Sequence, residues 1–343
     1  MITIHKIYNA NSNNLSCIAD KTVQLIVTSP PYPMIEMWDE MFQQQSPLIH
    51  EYFQAQEYEQ AFEEMHVLLD EVWKECDRVL ADNGLVCINI GDATRTLNGA
   101  FRLFSNHTRI IQYFLNMGYT VLPDILWRKQ SNAPNKFMGS GMYPAGAYVT
   151  YEHEYILIFR KGGKRTFSGK NKQLRQESAY FWEERNVWFS DLWEIKGTSQ
   201  IISKANTSRS RNASFPLEIP YRLVNMYSVK GDTVLDPFCG FGTTNLACIA
   251  SERNSVGIEV SSEIADLARG NLSEQAMNLN TLIRNRVSAH ALFIDSLTEE
   301  KREKCYTNIQ HGFLVKTRQE TALRIRELSR IDIRDKEIVC YYD

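Results

Sequence analysis

Two kinds of apolar pattern alternate along the chain. "VQLIVTS" (Val23 to Ser29) and "GLVCINIGD" (Gly84 to Asp92) are short, nearly continuous apolar runs. Such runs fit strands buried on both faces, as in a parallel sheet. Between them Phe62, Met65, Leu68, Leu69, Val72, Trp73, Cys76, Val79 and Leu80 recur at spacings of three and four. That spacing predicts one long amphipathic helix over Ala55–Leu80. "NHTRIIQYFLNMG" predicts a second helix ended by Gly118, and "YEHEYILIFRKG" a strand over Tyr155–Phe159.

Periodicity fails from Lys161 to about Arg211 and returns in "FPLEIPYRLVNMYSVKGDTVLDPFCGFGTTNLACIASERNSVGIEV". This stretch predicts a helix, a strand over Thr233–Leu235, a glycine loop, a second helix and a strand over Ser255–Val260. Strand–helix alternation on both sides of an irregular stretch implies one α/β domain with an insert. The expected division is a first half over 1–160, an insert over 161–211, a second half over 212–275 and a mixed-charge, mainly helical extension over 276–343.

Composition narrows the class without choosing a function. Hydrophobic residues are 43% and charged residues 23%, values of a globular chain rather than a disordered one. A formal net charge of −3 excludes a polybasic protein, though not a local positive groove. No run of 18 apolar residues argues for a membrane span, and no apolar N-terminal run for a secretory signal. The seven cysteines include no CxxC pair, no metal-binding set is expected, and Cys17, Cys87 and Cys248 sit in apolar runs as reduced core residues. The expectation is a cytoplasmic enzyme or binding protein.

Chemistry enters with "VLDPFCGFGTTNLACIA". Asp236 stands at a strand end, Gly240 and Gly242 lie in the turn, and Thr243 and Thr244 open a helix. Glycines let the backbone approach a ligand at the carboxyl edge of a sheet. No Lys follows in a GxxxxGK pattern, so nucleoside triphosphate hydrolysis lacks support. Downstream, "VGIEV" puts Glu259 at the end of the next strand, where an acid can accept from two ribose hydroxyls. DPFxGxGTT departs from the dinucleotide pattern GxGxxG. An acid inside the loop repels a pyrophosphate and suits an ammonium group. S-adenosylmethionine carries both the ammonium and the ribose; the bland alternative is a structural strand-to-helix turn.

With "TSPPY" in the same chain, the sequence resembles the amino-methyltransferases of DNA, in the permuted class whose catalytic strand precedes the cofactor strand. It is most similar to the N4-cytosine-specific members of restriction-modification systems. The resemblance covers Ile4 to Leu272 apart from the stretch after Tyr32 and the insert after Lys161. It implies a Rossmann-like S-adenosylmethionine-dependent fold, a seven-stranded, mostly parallel sheet with helices on both faces.

The family's catalytic motif, Asp/Asn/Ser-Pro-Pro-aromatic, matches Ser29, Pro30, Pro31 and Tyr32. Its cofactor loop matches "DPFCGFG", so Asp236, Pro237, Phe238, Gly240, Gly242 and the following Thr243 are implied cofactor residues, with Asp236 facing the methionine end and Glu259 the ribose. "HKIYNANSNNL" resembles the edge beside the cofactor's adenine, through Asn9 and Asn11, although Ala10 and Asn11 replace the usual Gly-Asp. "NASFPLEIPYRLV" resembles a helix-opening element in which Phe215 and Pro216 line the methionine pocket; Asn212 stands where His is common. "EHEYILIF" resembles the motif that ends the catalytic half.

The first loop suits a base amine. Pro31 lacks an N–H and the prolines restrict φ, so the Pro30 carbonyl can be presented rigidly as an acceptor. Ser29 Oγ can take the second amine hydrogen bond, and Tyr32 can stack on an extruded ring. Ring-carbon methylation of cytosine needs a nucleophilic Cys, and this loop has none; Cys239, in the cofactor loop, is expected to pack. Ser at position 29 is the family's usual mark of N4-cytosine enzymes, with N6-adenine the alternative and RNA methylation or non-catalytic binding further ones. Asp92 is a weaker candidate for the border of the base pocket, and His153 for a DNA contact.

Double-stranded DNA is the expected partner. A restriction endonuclease would share its target site without a stable complex, and the chain would act as monomer or homodimer in a prokaryotic cytoplasm, at the nucleoid. The basic run "RKGGKRTFSGKNKQLR" has the composition of a phosphate-contacting loop, and the family places target recognition in this part of the chain. Glu36 to Tyr52 and "SKANTSRSRNAS" (Ser203 to Ser214) are further candidates to meet the base or the backbone.

Overall fold

The computed structural model describes residues 1–129, 138–139, 143–197, 215–334 and 337–343. Among these, ten strands share the main sheet. They are β1 (Ile2–Asn9), β2 (Val23–Thr28), β3 (Leu80–Ile90), β4 (Thr120–Arg128), β5 (His153–Arg160), β6 (Leu192–Trp193), β7 (Thr233–Asp236), β8 (Asn254–Glu259), β9 (Leu328–Arg334) and β10 (Glu337–Tyr342). Their spatial order is β6-β4-β5-β3-β2-β7-β8-β1-β10-β9. The seven strands from β4 to β1 are the sheet that the sequence implied. Within them only β5 runs antiparallel to its neighbours.

Side-chain alternation on these strands feeds two cores, one on each face. Leu25 and Val27 face one core with Cys87, Ile156 and Ile158; Ile26 faces the other with Val86 and Ile88. On the second face lies the long helix Tyr58–Val79, whose buried positions Met65, Leu69, Val72, Trp73 and Cys76 follow the predicted stripe. Two short helices, Asp39–Gln45 and Pro47–Gln54, precede it, so that α1, α2 and α3 (the long helix) run in sequence. Asn106–Asn116 (α4) packs on the same face through Ile110 and Phe114. On the first face lie Glu218–Tyr227, Thr243–Ala250 and Ser262–Gln275.

The expectation of a mainly helical extension over 276–343 is corrected. Leu279–Asp295 is its one long helix among the described residues, and the chain then returns as β9 and β10. β10 pairs antiparallel with β1, covering a strand edge that would otherwise offer unpaired backbone groups to another chain. The apolar run Ile338–Tyr342 carries this strand, and Tyr342 Oη locks it by meeting Thr3 Oγ1 at 3.0 Å and donating to the Ile249 carbonyl at 2.9 Å. Cys17 is exposed, against expectation, while Cys87 and Cys248 are buried.

The insert also carries order that periodicity did not reveal, because its elements are short. Gly169–Glu177 (α5) and Trp182–Trp188 (α6) precede β6. Phe181 stacks on His290 with ring centroids 3.7 Å apart, Trp182 on Phe293 at 5.7 Å, and Glu184 forms two hydrogen bonds with Arg286. The aromatic cluster thus packs the insert against the C-terminal helix.

Candidate active site

The carboxyl ends of β7 and β8 shape one wall. After Asp236 the chain turns so that Cys239 N donates to Ile258 O and Gly242 N to Cys239 O. Gly242 has φ +80°, and a Cβ there would lie 2.5 Å from Leu272 Cδ1, so glycine suits both the left-handed turn and its close approach to the helix Ser262–Gln275. Glu259 is held by two backbone donors, Gly240 N at 3.2 Å and Ser261 N at 2.9 Å, leaving acceptor capacity on its carboxylate. Burial nevertheless pushes its pKa up, against those bonds.

Asp236 accepts from Thr28 Oγ1 (2.6 Å), Thr244 Oγ1 (2.7 Å) and Phe238 N (3.1 Å). Burial lifts its pKa from 3.8 to about 6, and these three donors work in the opposite direction.

These loops open on a cleft of about 380 Å³. It brings together Asn11, Ser29, Pro31, Phe215, Asp236, Pro237, Phe238, Gly240, Thr243 and Glu259. Five expected residues do not line it. Asn9 instead donates from Nδ2 to the carbonyls of Glu259 (3.0 Å) and Val260 (2.9 Å), fixing the loop after β8. Gly242 closes the turn, and Pro216 starts the helix by accepting from Ile219 N. Pro30 and Tyr32 adjoin the lining residues Ser29 and Pro31 in the chain without lining the cleft themselves. Cys239 packs, with its Sγ 2.9 Å from where a Cβ on Gly257 would lie, and burial raises its thiol pKa.

The opposite wall draws on the Glu36–Tyr52 stretch that the sequence offered as a candidate to meet the base, and on α3 residues that it did not single out. Met37, Trp38, Met41 and Phe42 from the α1 region face the cleft with Leu68, Leu69 and Val72 of α3. The stretch after TSPPYP therefore forms an apolar side of the same cavity. Its signal was present as Met and aromatic residues, but no helical period announced which side they would face.

Also missed was the polar bracket around the Ser29–Tyr32 loop. Tyr32 Oη meets Ser29 Oγ at 3.0 Å, donates to Glu154 Oε2 at 2.9 Å and accepts from Asn89 Nδ2 at 2.8 Å. Asn89 Nδ2 also donates to Glu154 Oε2 at 2.7 Å, and Lys129 pairs with the other carboxylate oxygen. Burial, then the Glu154 charge, hold the Tyr32 phenol far above its ordinary pKa. Asn106, fully buried, donates to the carbonyls of Pro33 (3.1 Å) and Gly91 (2.9 Å) while His66 Nε2 meets its Oδ1 at 3.0 Å. Burial lowers the His66 pKa to about 3, so the ring is neutral and Nε2–H is the donor.

Asp92 does not line the cleft; it accepts from His107 N, Tyr151 Oη and Ser105 Oγ and meets the His107 ring at Nδ1. The His153 ring packs against Tyr151 and Tyr155.

The basic run departs from its expected position. β5 is antiparallel to β3, and Arg160 pairs with Leu85, the first residue of β3 to pair with β5, so Lys161 leaves the sheet at the edge opposite Ser29. There Lys161 Nζ lies 2.8 Å from Asp77 Oδ1, and Arg165 grips Asp232 through two bonds of 2.5 and 2.7 Å. These cations fasten the insert to the body instead of facing the catalytic edge. Only with β6, parallel to β4, does the insert return to that edge. Ser203 to Ser214, Asn212 included, lies outside the described residues.

Comparison with known proteins agrees with this geometry. The profile of the N6/N4 family, described as DNA methylase, matches residues 23–270. The chain belongs to this family. Among its relatives, type II methyltransferase M.MthZI of Methanothermobacter thermautotrophicus is 48% identical over 95% of this chain and 91% of its own length. M.MjaI of Methanocaldococcus jannaschii is 51% identical over 75% of this chain and 88% of its own. A Thermus thermophilus protein described as a putative DNA modification methylase, solved with S-adenosyl-L-methionine, superposes with a TM-score of 0.62 at 28% identity, covering 79% and 94% of the two chains.

This DNA methylase uses S-adenosyl-L-methionine, and the residues present fit that cofactor. The cleft has the size of a small-molecule site, and the carboxylates Asp236, Glu259 and Glu263 line it together with apolar side chains. Among the described residues no group of His, Cys, Asp and Glu could hold a metal, and no helix is long and apolar enough to cross a membrane.

Proposed function

We propose that the methylase transfers a methyl group to the exocyclic N4 amine of a flipped cytosine in duplex DNA, protecting the target of a partner endonuclease in a restriction-modification system. The observation that carries this reading is Ser29, a hydroxyl on the wall of the cofactor cleft where a carboxylate or amide would be the alternative. Names of type II methyltransferases on relatives at 48% and 51% identity support the restriction-modification role.

The bound cofactor supplies an electrophilic methyl group. Asp236 would hold its ammonium and Glu259 its ribose hydroxyls, with Asn11 serving the adenine and Phe215 the methionine chain. Ser29 Oγ and the Pro30 carbonyl accept the two amine hydrogens, which points the nitrogen lone pair at the methyl group. Tyr32, anchored by its hydroxyl, offers its ring to the extruded base, a contact worth about 1–3 kcal/mol. DNA meets the carboxyl edge of the sheet, where the hairpin of Ala93–Leu97 and Ala100–Phe104, residues 143–152 and the end of β6 lie.

Methylation of duplex DNA with labelled S-adenosylmethionine, followed by digestion to nucleosides, tests the reading. Label in N4-methylcytosine is expected. Label in N6-methyladenine would replace the base assignment, and none in any duplex would remove the catalytic one.

A further inference from the structure

The hydrogen bonds behind Ser29 have a direction, and Glu154 sets it. Paired with Lys129 Nζ, the Glu154 carboxylate is an acceptor only. Tyr32 has one proton, and it goes to Glu154 Oε2, 2.9 Å away. The remaining partners of the phenol oxygen must then donate to it. Asn89 Nδ2 does so at 2.8 Å, an orientation required by its second bond to Glu154. Ser29 Oγ, at 3.0 Å, must do so as well.

We propose that Glu154 is a positioning residue that fixes the direction of this chain, so that Ser29 Oγ presents lone pairs, not its proton, to the amine of the target base. The inference rests on amine transfer at Ser29 and is indifferent to which base carries the amine. An amine has hydrogens to give in this position, so a serine whose own proton pointed at it would repel it.

Packing supports the same assignment. Gly91 lies against both partners: a Cβ there would come 3.1 Å from the Tyr32 ring and 3.3 Å from Glu154 Cγ. The ring and the carboxylate are therefore held against one backbone segment. Lys129, whose Nζ lies 4.5 Å from the Trp127 ring centroid, holds the far oxygen of Glu154. The two carboxylate oxygens thus have separate duties, and a neutral amide cannot perform both. If Glu154 became Gln, keeping the carbonyl on Tyr32 and Asn89 would turn its NH₂ toward the Lys129 ammonium. Keeping the carbonyl on Lys129 would turn its NH₂ toward Tyr32. The phenol proton would then swing to Ser29 and occupy the lone pair meant for the base.

The test compares wild type, Glu154→Gln, Tyr32→Phe and the double variant in single-turnover methyl transfer to duplex DNA, with cofactor affinity by calorimetry. Each single variant is expected to lose about 10–100-fold in transfer rate, the scale of lost positioning, with cofactor Kd and duplex KM within about twofold of wild type. Because Glu154 acts through the Tyr32 hydroxyl, the double variant should be no slower than Tyr32→Phe alone. Losses that multiply in the double variant, or a wild-type rate in Glu154→Gln, would overturn the proposal. Should Glu154→Gln fail to fold, Tyr32→Phe decides alone, since a wild-type rate without the hydroxyl leaves the chain no role. Label in adenine would sink the cytosine assignment and leave this inference standing, so the two fail separately.

Discussion

Thr28 Oγ1 donates to Asp236 Oδ1 across 2.6 Å, joining the last residue of the strand that leads into the Ser29–Tyr32 loop to the last residue of the strand that leads into the glycine loop. One hydroxyl therefore couples the position of Ser29 to the charge state of Asp236. With burial raising the Asp236 pKa to about 6 and Thr28 opposing that rise, Thr28→Val should raise it further. In the proposed placement only the ionised Asp236 would pair with the cofactor's ammonium. Cofactor affinity should be flat above pH 6 and fall about tenfold per unit below it, and the break should move upward in Thr28→Val. Calorimetric titrations between pH 5 and 8 read both midpoints; an unmoved break would separate Asp236 from cofactor charge.

The same shift has the opposite sign for stability. The folded pKa of Asp236, about 6, exceeds the ordinary 3.8, so its contribution is fully present below pH 3.8 and lost as pH rises through 6. Ionisation at pH 7 thus costs the fold up to about 3 kcal/mol. Asp236→Asn removes that cost while retaining an acceptor for Phe238 N. The variant should be at least as stable as wild type at pH 7 in urea unfolding, with cofactor affinity sharply reduced. A variant that is both weaker in binding and much less stable would contradict the placement of this charge.

Asn106 should separate positioning from cofactor binding. Its amide bridges the Pro33 and Gly91 carbonyls, on the two loops that flank the base site, and its oxygen takes the His66 proton. Asn106→Ala leaves those three buried groups without their partner, at a cost of about 2–4 kcal/mol. The melting temperature should fall, and the transfer rate should fall further than cofactor affinity does. Equal losses in both would mean that the amide supports the whole cleft.

Much of this site was legible because its signals are local. The central sheet followed from uninterrupted apolar runs such as Val23–Thr28, and the cofactor loop from two glycines between an acid and a helix. Glu154 and Asn89 stood in the sequence as ordinary strand residues, since nothing local tells that two strand ends will bring their side chains to Tyr32. The place of the basic run was hidden for the same reason. Its composition suggested phosphate contact, but the antiparallel course of β5 decides the edge at which it emerges. The closing hairpin β9–β10 was masked by charges at Arg330, Asp332, Arg334 and Glu337, which lie on or near an edge and look like a helical face in one dimension.

Arg326 ties three parts of the chain together. Its guanidinium meets Glu252 Oε2 at 2.6 Å and Glu177 Oε2 at 2.9 Å, and Lys230 pairs with the other oxygen of Glu252. Glu252 and Glu177 are both buried; removing Arg326 leaves Glu177 without an ion-pair partner among the described residues, while Lys230 still balances Glu252. Arg326→Met should destabilise by about 3–5 kcal/mol, whereas Arg326→Lys should recover part of it. Urea midpoints with unchanged slope would report this. Because the cluster lies away from the cleft, methyl transfer by the folded fraction should be unaltered.

Arg165 tests which edge of the sheet faces DNA. A phosphate contact would contribute to the salt dependence of duplex binding, and its loss would lower the slope of log affinity against log salt by about 1. Arg165 is instead paired with Asp232, which is 6% exposed and also accepts from Val229 N. Arg165→Ala should therefore lose about 1–3 kcal/mol of stability by unpairing a buried carboxylate. Its duplex affinity and salt slope should match wild type below the melting transition. A slope reduced by about one unit, with the fold intact, would mean that DNA reaches around to the edge opposite Ser29, and the approach proposed from the carboxyl edge would then describe only part of the interface.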